Sequence, residues 1–161
     1  MAVMVDIGDE APDFTAPLAN GDVEEFTLSE RLDEAPVVLA FFPAAFTSTC
    51  TTEMCTFRDQ LANFEDIGSA VYGVSVDLPY TLNEFRRQND LNFGLLSDER
   101  RELIEAYGVV DRWEPCDIRV AKRAVFVVDG DGRITYTWVG DNPKQEPDYE
   151  AVREAAAEAF A

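Results

Sequence analysis

The hydrophobic pattern of the chain alternates between short apolar runs and longer amphipathic stretches. Three runs are apolar at nearly every position and rich in β-branched residues, which is typical of strands buried on both faces of a sheet. These runs lie at 37–42, 70–76 and 124–128. Elsewhere apolar residues recur at helical spacing, which predicts helices that begin near Cys50, Pro79 and Asp98, and a last helix near the C-terminus. This alternation predicts a sheet that contains parallel βαβ units.

Turn residues predict two β-hairpins in addition to these elements. Asn20-Gly21 lies between two short extended segments near the N-terminus, and Asp129-Gly-Asp-Gly132 is followed by alternating apolar residues over 133–139. A short strand at Leu95–Ser97 precedes the third helix. The predicted order is therefore β-hairpin, β, α, β, α, short β, α, β, β, α. At 161 residues, we expect a single domain over 1–161.

Cys50 is the first candidate for chemistry because it lies between a strand and a helix. Pro43 ends the apolar run, since proline donates no ladder hydrogen bond, and the hydroxyl residues at 47–49 are suitable N-caps. Cys50 is therefore predicted in or beside the first helical turn. Unpaired N–H groups and the helix dipole favour a thiolate there, and the thiolate is the nucleophilic form of cysteine. From these residues alone, a small buried cysteine without chemistry is an equal alternative.

The residues around Cys50 resemble a known signature. The pattern Pro43-x-x-x-Thr47-x-x-Cys50, followed by Thr-x-Glu53, is similar to the active-site motif of the peroxiredoxins of the AhpC/TSA superfamily. The resemblance covers nearly all of the chain. It implies a thioredoxin-like three-layer α/β sandwich, in which a mixed central β-sheet carries helices on both faces and an N-terminal β-hairpin. It also implies a thiol-dependent peroxidase that reduces hydrogen peroxide and organic hydroperoxides.

A second segment carries the resemblance further. Ala121–Asp129 is similar to the family segment in which an arginine at the start of a strand lies beside the peroxidatic cysteine. The resemblance gives that role to Arg123, whose fixed charge and several donors would stabilise a thiolate and orient a peroxide. A surface arginine is the alternative, and Arg119 and Arg112 are lesser candidates.

These residues together imply a mechanism. The thiolate of Cys50, the peroxidatic cysteine, would attack one peroxide oxygen and become a sulfenic acid. Thr47, the backbone N–H of Cys50 and Arg123 would polarise the peroxide, and Pro43 would shield the sulfur from water. The chain has no histidine, so nucleophile schemes based on Cys–His or Ser–His pairs are excluded.

A second cysteine, Cys55, lies five positions after Cys50. That spacing resembles the bacterioferritin comigratory protein subgroup, also called the Q type, and implies that Cys55 resolves the sulfenic acid as an intramolecular disulfide. Five helical residues rise about 7.5 Å and a disulfide needs Cα atoms within about 7 Å, so the first turns of the helix would have to unwind. Cys116, in a loop outside both motifs, is the alternative resolver. Cys55 as a plain buried thiol also stays open.

Acidic residues outnumber basic ones by 32 to 13, and only two residues are lysines. A net charge of −19 repels nucleic acid and anionic membranes, so neither is an expected partner. High acidity with scarce lysine resembles the cytosolic proteins of halophilic organisms, and an ordinary acidic cytosolic protein is the alternative. The N-terminus lacks a secretory signal and no apolar stretch is long enough to span a bilayer, which predicts a cytoplasmic protein.

The expected partners are a hydroperoxide substrate and a thioredoxin-like reductant, both implied by the resemblance. Three cysteines without histidine make a poor metal site, and no metal or other cofactor is expected. The short C-terminus lacks the extension of typical two-cysteine dimers, which favours a monomer or a weak homodimer. Two other functions stay open: a protein thiol–disulfide oxidoreductase, and a redox-regulated holdase or peroxide sensor.

Overall fold

The computed structural model describes residues 3–160, which form nine strands and four α-helices. The strands are β1 (Thr15–Asn20), β2 (Asp22–Thr27), β3 (Val37–Phe41), β4 (Ala70–Ser75), β5 (Leu95–Ser97), β6 (Val110–Trp113), β7 (Ile118–Ala121), β8 (Ala124–Val128) and β9 (Ile134–Val139). The α-helices are α1 (Ser48–Asp66), α2 (Pro79–Asn89), α3 (Glu102–Ala106) and α4 (Tyr149–Phe160). Within 3–160, no helix combines the length and apolar character needed to cross a bilayer.

Seven strands form one mixed sheet in the order β2-β1-β5-β4-β3-β8-β9. β3 pairs in parallel with β4, and β4 pairs in parallel with β5, so α1 and α2 are crossover helices between parallel strands. The other neighbouring strands are antiparallel, including β3 and β8, where Phe41 lies opposite Ala124. β3 lies inside the sheet and is covered on both faces, which explains why all its residues are buried and apolar.

Helices cover both faces of this sheet. On one face, Val38 and Ala40 of β3 belong to a core that includes buried residues of α1, α2 and α4. On the other face, Leu39 and Phe41 belong to a second core, to which α3 contributes Ile104. Successive residues of a strand point to opposite faces, so β3 contributes to both cores. The predicted three-layer arrangement and the N-terminal hairpin, formed by β1 and β2, are confirmed.

One ribbon of the structure has no counterpart in the predicted order. β6 and β7 form a separate two-stranded antiparallel sheet, in which Arg112 pairs with Arg119. Most positions of this ribbon are exposed or half-buried and each strand has only four residues, so the sequence shows too little apolar alternation to predict it. The β1–β2 hairpin is also longer than predicted, because its pairing continues through exposed residues of β2.

Candidate active site

The site is built where β3 ends and α1 begins. β3 stops at Phe41, Pro43 is buried just beyond it, and α1 starts at Ser48. Cys50 is therefore the third residue of the helix, and it is buried, with 1% of its surface exposed. Free backbone N–H groups and the helix dipole favour a negative charge in this turn.

The loop ahead of α1 is held by side-chain hydrogen bonds. Thr47 Oγ1 donates to the carbonyl oxygen of Ala44 at 2.7 Å, so this hydroxyl does not cap the helix. After β4, the carboxylate of Asp77 accepts a hydrogen bond from the backbone N–H of Ala45 at 2.9 Å. Phe46, between Ala45 and Thr47, has a left-handed backbone with φ of 67° and is 50% exposed. A residue other than glycine stores about 1–3 kcal/mol of strain in that region, and the flanking hydrogen bonds hold it there.

Arg123 lies immediately before β8 and reaches the cysteine at the end of the sheet. Because Phe41 pairs with Ala124, Arg123 lies beside the point where the chain leaves β3 for the loop. Its Nη2 donates to Cys50 Sγ at 3.1 Å and to the carbonyl oxygen of Pro143 at 2.8 Å. A permanent cation at this distance stabilises a thiolate and can also bind the oxygen atoms of a small substrate.

Glu53 is a second acidic side chain, besides Cys50, that contacts the guanidinium of Arg123. It follows Cys50 by about one helical turn, it is fully buried, and its Oε1 accepts a hydrogen bond from Arg123 Nη1 at 2.6 Å. Burial raises the pKa of Glu53 to about 7, against the lowering effect of Arg123. Burial alone would lower the pKa of Arg123, but Glu53 and Cys50 raise it overall. Within the described residues, Glu53 Oε2 and Arg123 Nε have no hydrogen-bond partner.

Cys55 lies on the side of α1 that meets the end of α2. It is a half-buried free thiol, and its Sγ donates a hydrogen bond to Asn89 Oδ1 at 3.8 Å. Arg58, one turn further along α1, donates from Nη1 to the carbonyl oxygen of Asn89 at 2.6 Å. The pKa of Arg58 is raised, chiefly by its hydrogen bond to Asp59 and also by the nearby Cys55. Cys55 and Arg58 therefore both contact Asn89 at the end of α2.

The β6–β7 ribbon carries the remaining candidates, and they lie apart from this site. Cys116 is exposed in the turn between the two strands. Arg112 forms an ion pair with Asp117 at 2.8 Å, and Arg119 forms one with Glu105 at 3.4 Å. Both lesser candidates for the arginine role are therefore paired with surface carboxylates.

The structure brings Cys50 and Arg123 into contact and places Pro43 and Thr47 in the adjoining loop. The sequence motif includes Glu53 but suggests no role for it. The spacing of three positions between Cys50 and Glu53 could have indicated that Glu53 belongs to the site, because residues three apart lie on the same face of a helix. The contact between Cys55 and α2 could not be read from the sequence, since it depends on how two helices pack.

The chain is similar to known proteins along most of its length. The model of the AhpC/TSA family matches residues 7–137. A Mycobacterium tuberculosis protein is 40% identical to this chain over 129 residues, which are 79% of this chain and 80% of that protein, and its name describes it as a peroxiredoxin. The thiol peroxidase of Listeria monocytogenes serotype 4b is 35% identical over 155 residues, 95% of this chain and 88% of that protein. The crystal structure of the peroxidoxin BcpB from Mycobacterium tuberculosis matches with a TM-score of 0.79 and 28% identity, over 96% of this chain and 95% of that one.

Proposed function

Since the chain belongs to the AhpC/TSA family and is a thiol-dependent peroxidase of thioredoxin-like fold, we propose that Cys50 is its peroxidatic cysteine. The observation that carries this assignment is the contact of 3.1 Å between Arg123 Nη2 and Cys50 Sγ. The position of Cys50 in the first turn of α1 supports it as well, because both features favour the reactive thiolate.

The reaction begins when the Cys50 thiolate attacks one oxygen of the hydroperoxide. The O–O bond breaks, the sulfur becomes a sulfenic acid, and the other oxygen takes up a proton and leaves as water or an alcohol. Arg123 stabilises the negative charge as it moves from the sulfur to the leaving oxygen. Thr47 orients the peroxide, because a hydroxyl that donates to the carbonyl of Ala44 can still accept a hydrogen bond. Pro43, buried beside the loop, shields the sulfur from water.

The burial of the thiol favours a small substrate. With 1% of Cys50 exposed, hydrogen peroxide or an organic hydroperoxide reaches the sulfur more readily than a disulfide on the surface of another protein. This supports peroxide reduction over the alternative of a protein thiol–disulfide oxidoreductase.

Cys55 resolves the sulfenic acid after the first turns of α1 unwind. In the intact helix, five residues rise about 7.5 Å, more than the Cα separation that a disulfide allows. The start of α1 is weak, because the side chain of its N-cap residue Thr47 does not cap it and its first turn has no acidic residue. The hydroxyls of Thr51, Thr52 and Thr56 bond back to carbonyls four residues earlier, which also destabilises a helix. Unwinding would relieve the strain at Phe46 as well.

The chain acts as one domain over 1–161, supported by a sheet whose strands come from 15–139. The spacing of Cys50 and Cys55 and the likeness to BcpB support the Q-type subgroup. A thioredoxin-like protein is the reductant, and the enzyme is a cytoplasmic monomer or weak homodimer. The net charge of −19 supports a halophilic origin, which activity that rises with salt would test.

Mass spectrometry after peroxide treatment tests the cycle. Reduced protein given one equivalent of hydrogen peroxide should lose two hydrogen atoms, and peptide mapping should join Cys50 to Cys55. The variant Cys55→Ser should stop at the sulfenic acid, whereas the matched control Cys116→Ser should still form the disulfide. A crosslink between Cys50 and Cys116 would overturn the choice of resolver. Reduction of insulin without consumption of peroxide would overturn the peroxidase itself.

A further inference from the structure

Two acidic side chains share one buried cation. Arg123 donates to Cys50 Sγ at 3.1 Å and to Glu53 Oε1 at 2.6 Å. Neither Cys50 nor Glu53 is more than 1% exposed. If both acids were ionised beside one guanidinium, the interior would carry a net negative charge, which is costly. Charge balance beside a single guanidinium therefore favours a state in which one of the two groups keeps a proton at neutral pH and below.

We propose that this shared proton, held on Glu53 while Cys50 is a thiolate, is the proton that the leaving oxygen of the peroxide takes up. This role rests on the assignment of Cys50 as the peroxidatic cysteine. The S–O bond forms as the O–O bond breaks, and the sulfur loses the two electrons that the peroxide gains. Cys–S⁻, ROOH and Glu–COOH thus become Cys–SOH, ROH and Glu–COO⁻.

Charge balance favours this donor over a proton from solvent. Before the step, the thiolate neutralises Arg123, and after the step the carboxylate of Glu53 neutralises it, so the buried cluster stays at zero net charge. Within the described residues, Glu53 Oε2 has no hydrogen-bond partner, which leaves this oxygen free to carry and release a proton. Burial raises the pKa of Glu53 to about 7, which suits a proton donor at neutral pH.

The other titratable groups that face Glu53 come from α4 and the segment before it. Glu146 adds a negative charge that raises the pKa of Glu53 further. The hydroxyl of Tyr149 donates to Glu146 Oε1 at 2.6 Å, and burial raises the pKa of Tyr149, so this phenol stays neutral. Neither group supplies a positive charge, and Arg123 is the cation that Glu53 contacts.

Infrared difference spectroscopy tests the proton role. The parent protein carries Cys55→Ser and Cys116→Ser, so oxidation by one equivalent of hydrogen peroxide stops at the sulfenic acid. At about pH 6, the carbonyl band of a protonated carboxyl group should disappear, and a carboxylate band should appear, as the sulfenic acid forms. Adding Glu53→Gln should remove this signal, and adding the control Glu105→Gln, a surface carboxylate paired with Arg119, should leave it in place.

A pH indicator provides an independent test, because it counts the protons that the protein takes up from solvent. The parent should take up no solvent proton as it forms the sulfenic acid, whereas the Glu53→Gln protein should take up about one. Glu53→Gln should also lower kcat/KM for peroxide roughly 100-fold, the lower range for general acid catalysis. Both measurements on the parent stand even if Glu53→Gln fails to fold.

The outcomes separate the proton role from the assignment of Cys50. Sulfenic acid that forms without loss of a carboxyl band, or with uptake of a solvent proton by the parent, would overturn the role of Glu53 and leave Cys50 as the peroxidatic residue. Failure of the parent to form a sulfenic acid on Cys50 would overturn both.

Discussion

Replacing Arg123 by methionine removes the cation of the buried cluster while keeping an unbranched side chain. The Arg123 side chain is 1% exposed and that of Glu53 is 0% exposed, so water cannot take the place of the lost donor. Arg123→Met therefore measures how strongly the interior depends on this ion pair.

The expected loss of stability depends on pH. At about pH 8, above the Glu53 pKa of about 7, the loss should be about 4 kcal/mol, within the range for removing one partner of a buried ion pair. At about pH 5 the carboxyl group of Glu53 keeps its proton, and the loss should fall to about 2 kcal/mol, the cost of an unpaired buried polar group. The loss at the higher pH corresponds to a decrease of about 10 °C in Tm for a chain of this length.

Urea unfolding of the reduced protein in one high-salt buffer measures these free energies. Arg119→Met is the matched control, because its ion pair with Glu105 lies on the surface and contributes less than about 1 kcal/mol. Adding Glu53→Gln to Arg123→Met should recover about 2 kcal/mol at the higher pH, while peroxidase activity stays lost. Two results would refute this reasoning: Arg123→Met within about 1 kcal/mol of wild type at about pH 8, or a double variant no more stable than the single one.

The resolving step and the pH dependence of stability supply further predictions. Cys55→Ser should consume the first equivalent of peroxide at the wild-type rate but become overoxidised under excess peroxide, as seen by mass spectrometry, whereas Cys116→Ser should behave as wild type. Arg58→Gln should slow disulfide formation roughly tenfold in quenched-flow alkylation without changing peroxide consumption, because Arg58 Nη1 donates to the Asn89 carbonyl and holds the end of α2 beside Cys55. The raised pKa of Glu53 means that folding tightens the binding of its proton, so this contribution is fully present below about pH 4.5 and is lost as pH rises through about 7. The unfolding free energy of wild type relative to Glu53→Gln should therefore fall by about 3 kcal/mol over that window, and a constant difference would contradict the raised pKa.

The position of Cys50 could be predicted because its determinants are local. The apolar strand, the proline that ends it and the hydroxyl residues that begin the helix all lie within a short stretch of chain. Arg123 is 73 positions away and meets Cys50 only because β3 pairs with β8. Hydrophobic periodicity predicts both strands but not their adjacency, so the assignment of Arg123 depended on the resemblance to a family.

Other features could not be predicted because they arise from tertiary packing. The β6–β7 ribbon consists of two four-residue strands that are mostly exposed or half-buried, so its hydrophobic alternation is too short to predict it. The spacing of Glu53 places it on the same helix face as Cys50, but its ion pair with Arg123 forms only because β3 pairs with β8. The contact of Cys55 with Asn89 likewise depends on the fit of two helix surfaces.

Stopped-flow measurement of peroxide consumption is the most direct test of the central claim that Cys50 is the peroxidatic nucleophile. Reduced wild-type protein, Cys50→Ser and free cysteine would each be mixed with one equivalent of hydrogen peroxide in the same high-salt buffer. We expect wild type to react orders of magnitude faster than free cysteine, with the sulfenic acid trapped on Cys50, and we expect Cys50→Ser to lose this reaction. Consumption by wild type no faster than by free cysteine, or an unchanged rate in Cys50→Ser, would contradict the claim.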